Sequence, residues 1–408
     1  MARLADSATP KLRVLSKENP WNKVSLGEYL SFKNGINADK DSYGSGYKFI
    51  NVLDIINNDY IKHDSIIGSV NVDEKIFKKN EVTYGDILFQ RSSENREEAG
   101  QSNVYLDKEQ AATFGGFVIR GKQLKNCNPI YLNYLLKSWL ARKEIVRKSG
   151  GSTRYNVGQD TLSSVEVFMT DCDDEQNEIA DFLSSVDKKI ALLKEKHDLL
   201  AQYKKGVMQK LFSQEIRFKD EDGKHFPDWE SKKGNEIFRA MSNKKHNSDL
   251  PILAITQDQG AIPRELINYQ VQVTDNSVAS YKVVEKGDFI ISLRSFQGGI
   301  EYSNYKGICS PAYIILQPSI TICDDFHRYY LKTNNFIQEM KKRLEGIRDG
   351  KILSYKYFSE INLPFPCIEE QQRIAEFLGA LDKKLNLVSE QIEHTQTFKK
   401  GLLQQMFV

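Results

Sequence analysis

The sequence predicts a mixed α/β chain of two globular segments, each followed by a long helix, the second half being a diverged copy of the first. Three observations predict this. Residues 175–212 align without gaps to 370–407 at an offset of 195, with 16 of 38 positions identical. Trp21, Glu28, Tyr29 and Leu30 return as Trp229, Glu236, Ile237 and Phe238, and Gly85-Asp86-Ile87-Leu88 returns as Gly287-Asp288-Phe289-Ile290. Between these landmarks lie short apolar runs of strand length, bounded by Gly, Asn or Ser.

The elements follow in order. In the first segment, residues 49–53, 86–89 and 117–119 read as strands and 130–148 as an amphipathic helix. The acidic, glycine-bearing stretch 220–223 reads as the linker between halves. In the second segment, 289–293 and 312–316 read as strands and 326–344 as a helix. The expected boundaries are 1–174 and 215–369 for the globular segments, with the long helices at 175–214 and 370–408. At 408 residues, more than one domain is the natural outcome.

The two long helices carry a narrow apolar seam. Its 4–3 spaced positions are Ile179, Leu183, Val186, Ile190, Leu193, His197, Leu200, Lys204, Val207 and Leu211 in the first copy. In the second they are Ile374, Leu378, Leu381, Leu385, Val388, Ile392, Thr395, Lys399, Leu402 and Met406. Such a seam, kept up over more than four heptads between polar flanks, predicts that the copies pack on each other as a coiled coil. Acidic residues lead into each helix (Asp173, Asp174, Glu175; Glu369, Glu370) and lysines gather near its end, as the helix dipole favours.

Composition excludes several classes. The chain is 40% hydrophobic and 27% charged with a net charge of +2, so no bulk polybasic tail binds a polyanion, and any nucleic-acid surface is local. The uncharged stretch 307–323 is too short and too interrupted (Pro311, Gln317, Pro318) to span a membrane, and no apolar leader follows Arg3. Five scattered cysteines without C-x-x-C spacing point to a reducing, cytoplasmic setting and not to a disulfide frame or zinc site.

Strings that imitate catalytic motifs do not hold together. Asn128-Pro129-Ile130-Tyr131 and Phe114-Gly115-Gly116-Phe117 echo aminomethyltransferase loops but lie too close for a nucleotide crevice between them; Pro129 fits the first turn of a helix. Pro227-Asp228, Glu230 and Lys232 echo a nuclease pattern, but Trp229 between the acids is the repeat partner of Trp21. No phosphate loop and no histidine ligand spacing occur, so a chain without an active site of its own is expected.

Basic clusters sit at matching places in the halves. One holds Arg142, Lys143, Arg147, Lys148 and Arg154 against Glu144; the other holds Lys341, Lys342, Arg343, Arg348, Lys351 and Lys356 against Glu345 and Asp349. Each adjoins a loop rich in Gly and hydroxyl groups, including Ser152 and Thr153 in the first and Tyr355 in the second. Guanidinium, hydroxyl and backbone N–H groups are what phosphate contacts use. After the repeated Gly-Asp strands come Arg91, Ser92, Asn95 and Arg96 in one half and Arg294 and Gln297 in the other, side chains suited to base edges. Lys244 and Lys245 complete the candidate DNA-binding set.

With these residues in hand, nearly the whole chain resembles the specificity subunit of Type I restriction–modification enzymes. The carrying residues are Trp21 with Leu26-Gly27-Glu28, the two Gly-Asp strands, Leu363-Pro364-Phe365-Pro366, and the duplicated pattern Glu-Gln…Ile-Ala…Phe-Leu…Asp-Lys-Lys. The resemblance implies two target-recognition domains, each reading one half of a split, asymmetric double-stranded DNA site. It implies long helices packed antiparallel with a pseudo-two-fold repeat, setting the spacing and docking two modification (methyltransferase) subunits. Those subunits would use S-adenosylmethionine to methylate adenine, while restriction subunits would use ATP and magnesium; this chain would hold no cofactor. The other reading is a coiled-coil adaptor whose globules bind protein.

Overall fold

The computed structural model describes residues 7–13, 20–246, 249–267, 278–342 and 354–408. They form two compact units, the first running to Lys194 and including Glu390–Val408, the second comprising Glu195–Ser389. Each unit therefore holds one globular segment, the first half of the long helix that follows it, and the last half of the other long helix.

The first unit is built on four antiparallel strands, β1 (Leu30–Asn34), β2 (Ile87–Gln90), β3 (Ser102–Val104) and β4 (Val118–Gln123), in the order β1-β4-β2-β3. Ile87, Leu88 and Phe89 are all buried, so this strand reads as a continuous apolar run and not as an alternating one. Its lead-in explains the repeated dipeptide. Gly85 has φ +89°, a left-handed turn conformation that favours glycine, and Asp86 accepts a hydrogen bond from the Thr83 amide at 2.9 Å. The Asp86 carboxyl is buried, which raises its pKa.

Helix α1 (Pro129–Lys137) starts as expected: Asn128 Oδ1 accepts from the amides of Ile130 and Tyr131, and Pro129 occupies the first turn. It does not run on to 148. Ser138 is extended, its hydroxyl caps α2 (Trp139–Lys148), and the single helix read from periodicity is two. Residues 49–53 are likewise not one strand. A strand ends at Ile50, and Asn51 and Asp54 form a capping box that opens the short helix Val52–Ile56. The long helix α3 spans Asp173–Phe212.

The second unit repeats the plan. Strands β5 (Phe238–Met241), β6 (Phe289–Ile291), β7 (Glu301–Tyr302) and β8 (Ile314–Pro318) form an antiparallel sheet in the order β5-β8-β6-β7. Gly287 has φ +98°, and Asp288 accepts from the Glu285 amide at 2.8 Å. The expected helix 326–344 is again two, α4 (Asp324–Tyr330) and α5 (Asn334–Lys342), with the Thr333 hydroxyl accepting from the Phe336 amide. Thr333 is the repeat equivalent of Ser138, so the break is duplicated too. Residues 220–223 are a hydrogen-bonded turn and not a bare tether: the Asp220 amide donates to Lys224 and Gly223 has φ +78°. Helix α6 spans Ile368–Met406.

In both units the helix halves run antiparallel. In the first, Lys399 meets Asp187 at 2.5 Å, while Trp21 contacts both Glu175 and the Phe407 ring. In the second, Lys204 meets Asp382, while Trp229 contacts Glu370 and the Phe326 ring that also touches Phe212. Every seam position in both helices, His197 included, is buried or half-buried. Tyr134 donates to Asp187 at 2.7 Å and Tyr329 to Asp382 at 2.6 Å, so each aspartate ties the rod to its own globule.

The duplicated lead-in to each rod has a physical cause. Glu175 and Glu370 are fully buried and would be costly unpaired. Arg13 grips Glu175 with two hydrogen bonds of 2.7 and 2.8 Å, and the Trp21 indole adds a third. Arg217 and Trp229 do the same for Glu370. Gln176 and Gln371 each accept from a backbone amide of the globule, Asn128 and Cys323 respectively.

Candidate nucleic-acid interface

In the first unit the fold brings two of the predicted segments together. Beyond Gln90 the chain forms a short antiparallel pair in which Ser92 faces Asn156 and Ser93 faces Tyr155. The Arg91–Arg96 loop thus lies against the 150–156 hairpin. Arg154 stands 3.6 Å from Glu94, and the Arg96 guanidinium sits 6.0 Å from the Tyr155 ring centroid. Arg142 fastens this arrangement from α2, donating to the carbonyls of Glu97 and Ala99 at 2.9 and 2.8 Å. Its burial lowers its pKa to about 10, and it remains the charged clamp of the loop at neutral pH.

Arg91, Asn95, Arg96, Ser152, Thr153 and Arg154 are exposed, and Ser92 is half-buried. Not every predicted side chain is free to bind. Arg147 is exposed but holds Glu144 with two hydrogen bonds of 2.8 Å, which lowers the Glu144 pKa. The Lys148 amine donates to the Ser164 carbonyl at 2.6 Å and to its hydroxyl at 3.1 Å, closing α2 onto the next turn. Asn95 Oδ1 caps the turn that follows it by accepting from the Glu97 amide.

These segments border a cleft of about 1230 Å³. Ser92, Asn95 and Arg154 line it, as do five residues that are not among the predicted DNA contacts: Asn37, Tyr43, Leu53, Ile67 and Phe117. Leu53, Ile67 and Phe117 are 64%, 94% and 63% exposed, a high density of bare apolar side chains for one opening. They come from separate loops and meet only in three dimensions. The one local sign was an apolar residue beside glycine, as in Ile67-Gly68 and Gly116-Phe117. Arg91 faces a neighbouring smaller cleft with Asn34, Asn156 and Gln159.

In the second unit Arg294 and Gln297 are exposed on the turn after β6, where the Gln297 amide donates to the Arg294 carbonyl at 2.8 Å. Lys244 and Lys245 are exposed on the loop after β5. Lys342 is exposed and paired with Glu339 at 2.6 Å. Tyr355 is committed to the fold, its hydroxyl donating to the Phe238 carbonyl at 2.8 Å. Arg343, Arg348 and Lys351 lie outside the described residues. Among the described residues, no group of three or more His, Cys, Asp or Glu side chains is placed to hold a metal ion, and no helix is long and apolar enough to cross a membrane.

Comparison with known proteins places this architecture. The chain is 24% identical over 403 residues to the Type I restriction enzyme MjaVIII specificity subunit of Methanocaldococcus jannaschii, covering 94% of this chain and 91% of that one. A relative from the same organism, named for the MjaX type I restriction enzyme, is 24% identical over 406 residues, covering 94% and 92%. In fold, the chain is similar to the S subunit of the M. genitalium Type I restriction–modification system, with a TM-score of 0.55 at 18% identity over 98% of this chain and 99% of that one. A chain from a structure concerned with assembly of the type I system gives 0.57 at 15% identity, covering 95% and 97%. The family model described as the Type I restriction modification DNA specificity domain matches twice, at residues 18–202 and 227–395, once in each half of the internal repeat. The chain belongs to the Type I restriction–modification DNA specificity family.

Proposed function

We propose that this chain is the non-catalytic DNA-recognition subunit of a Type I restriction–modification complex, each unit reading one half of a bipartite, asymmetric double-stranded site. One observation carries the reading. The sheet orders β1-β4-β2-β3 and β5-β8-β6-β7 and the Lys–Asp–Tyr rod contacts are kept in both units, while the loops beyond β2 and β6 differ. A preserved frame with different loops suits two readers of different sequence in one orientation scheme. The rods would set the spacing between the half-sites. Methylation of adenine with S-adenosylmethionine would belong to modification subunits, and ATP- and magnesium-dependent cleavage to restriction subunits, in the cytoplasm.

The rods also support a duplicated partner. In the second unit Leu199, Tyr203 and Leu387 are 58%, 54% and 57% exposed, and the antiparallel register brings Leu387 level with Leu199. Their repeat equivalents in the first unit are His394, Phe398 and Leu192, all exposed. Two of the three positions, Leu387/Leu192 and Tyr203/Phe398, present exposed apolar side chains in both units, with His394 in place of Leu199, and a patch repeated in this way fits two copies of one modification subunit.

The test is binding of duplex DNA by the complex with its methyltransferase partner at several salt concentrations. Reversing Arg91, Arg96 and Arg154 to glutamate is expected to weaken binding and to reduce the salt slope by about one unit for each phosphate no longer neutralised. Unchanged affinity and slope would remove this loop pair from the DNA face. Binding that is absent even in the intact complex would favour a protein-binding adaptor.

A further inference from the structure

Each aspartate that ties a rod to its globule receives a tyrosine hydroxyl, and what stands behind that hydroxyl differs between the units. In the first unit Tyr134 uses its one hydrogen on Asp187, so its oxygen can only accept, and the Tyr60 hydroxyl 2.6 Å away is the donor. Ser184 Oγ lies 3.4 Å from the Tyr60 hydroxyl. In the second unit Tyr329 donates to Asp382 in the same way. The backbones match residue by residue: Ile61 bridges Tyr105 as Ala261 bridges Ser303, and the Tyr105 and Ser303 amides donate to the carbonyls of Asp86 and Asp288. Tyr60 therefore corresponds to Gly260, and Ser184 to Gly379. Both side chains that complete the hydroxyl cluster beside Tyr134 are glycines in the second unit.

There a cavity of about 410 Å³ opens against Tyr329, a size that holds small molecules. Gly260, Lys204, Met208, Arg328 and Asp382 also line it. No side chain at position 260 can fill it: Gly260 has φ +74°, and a Cβ there would lie 2.6 Å from the Tyr302 carbonyl oxygen. The Tyr329 hydrogen goes to Asp382, so its oxygen keeps an accepting side, and among the described residues no side chain donates to it. The charged groups of the wall are paired, Lys204 with Asp382, Lys332 with Glu301 and Arg328 with Asp325. Asp258, also in the lining, is exposed, so the wall suits a neutral guest and disfavours an anion. We propose that this cavity binds a phenol group, with Met208 as its apolar wall and the phenol hydroxyl donating to Tyr329 Oη as Tyr60 donates to Tyr134. The first unit carries that phenol in its own chain. The second takes it from outside, as a free phenolic compound or as a tyrosine side chain of a bound subunit. The site stands apart from what either unit reads on DNA.

The probe is 4-fluorophenol, titrated into the full chain and followed by fluorine NMR. One saturable bound resonance is expected, with a dissociation constant on the order of 1 mM, an affinity within reach of so small a ligand. Fluorobenzene, which lacks the hydroxyl, should bind about fivefold more weakly, the effect of one hydrogen bond. Met208→Trp, which fills the cavity from the rod, should abolish the resonance. Tyr60→Ala removes the phenol that the first unit supplies itself and should add a second bound resonance to the parent's one. The same titration on the complex with its methyltransferase partner separates the two sources: a resonance that survives assembly marks a site for a free phenolic compound, and one lost on assembly marks a seat taken by the partner's tyrosine. The proposal is overturned if the parent chain gives no saturable resonance, or if fluorobenzene binds as well as 4-fluorophenol. It is equally overturned if Met208→Trp, folded by circular dichroism, binds like the parent, or if Tyr60→Ala gains no second resonance.

Discussion

His327 shows at the scale of one residue how the two halves have parted. It is fully buried, its Nδ1 lies 3.2 Å from the Cys323 carbonyl, and its Nε2 has no hydrogen-bond partner among the described residues. The repeat-equivalent residue in the first half is Leu132. Burial lowers the pKa of His327 to about 4 from an ordinary 6.5. Below pH 6.5 the unfolded chain takes a proton that the folded one resists, so stability is complete above that value and falls as pH drops toward 4. The loss is on the order of 3 kcal/mol. His327→Leu is expected to remove this dependence; urea denaturation at pH 7 and pH 4 should show a smaller fall for the variant than for the parent. Equal falls would show that other groups govern acid sensitivity.

The same scale shows what single residues revealed and what they hid. Glu175 and Glu370, Trp21 and Trp229, and Asp86 and Asp288 were conspicuous because a buried charge or a turn demands one residue type, and the demand is met twice. Lys148 and Tyr355 were attractive as DNA contacts by type alone, yet their polar atoms are taken up by Ser164 and by Phe238. Residue type reports capacity to bind; only packing reports whether that capacity is already used.

Among the elements, the rods were the most legible because a 4–3 seam depends on sequence spacing alone. The breaks at Ser138 and Thr333 were not, since the apolar period continues across them and only the hydroxyl caps mark the turn. The cleft was not legible either, because Asn37, Ile67 and Phe117 sit on loops far apart in sequence. Asp187→Asn and Asp382→Asn each break a Lys–Asp–Tyr link at equivalent places, and each is expected to cost about 1–3 kcal/mol in chemical denaturation. Similar costs would show that the two halves bear load equally, whereas a cost at only one site would show that the repeat is not energetically symmetric. Leu199→Glu with Tyr203→Glu should leave helix content unchanged by circular dichroism and reduce the number of modification subunits bound from two to one. Full assembly of that variant would remove the patch from the partner interface.

At the scale of the whole molecule one claim is central: the frame is common to both halves, and each globule carries an address of its own. Retention of the rod lead-ins beside divergent loops is what a modular reader requires. The direct measurement is exchange of residues 229–364 for the equivalent segment of another family member, followed by methylation mapping across a genome carrying the complete system. The expected result is that one half of the methylated site changes, while the other half keeps its sequence. A site in which both halves change together, or neither does, in a complex that still assembles and methylates, would contradict the claim.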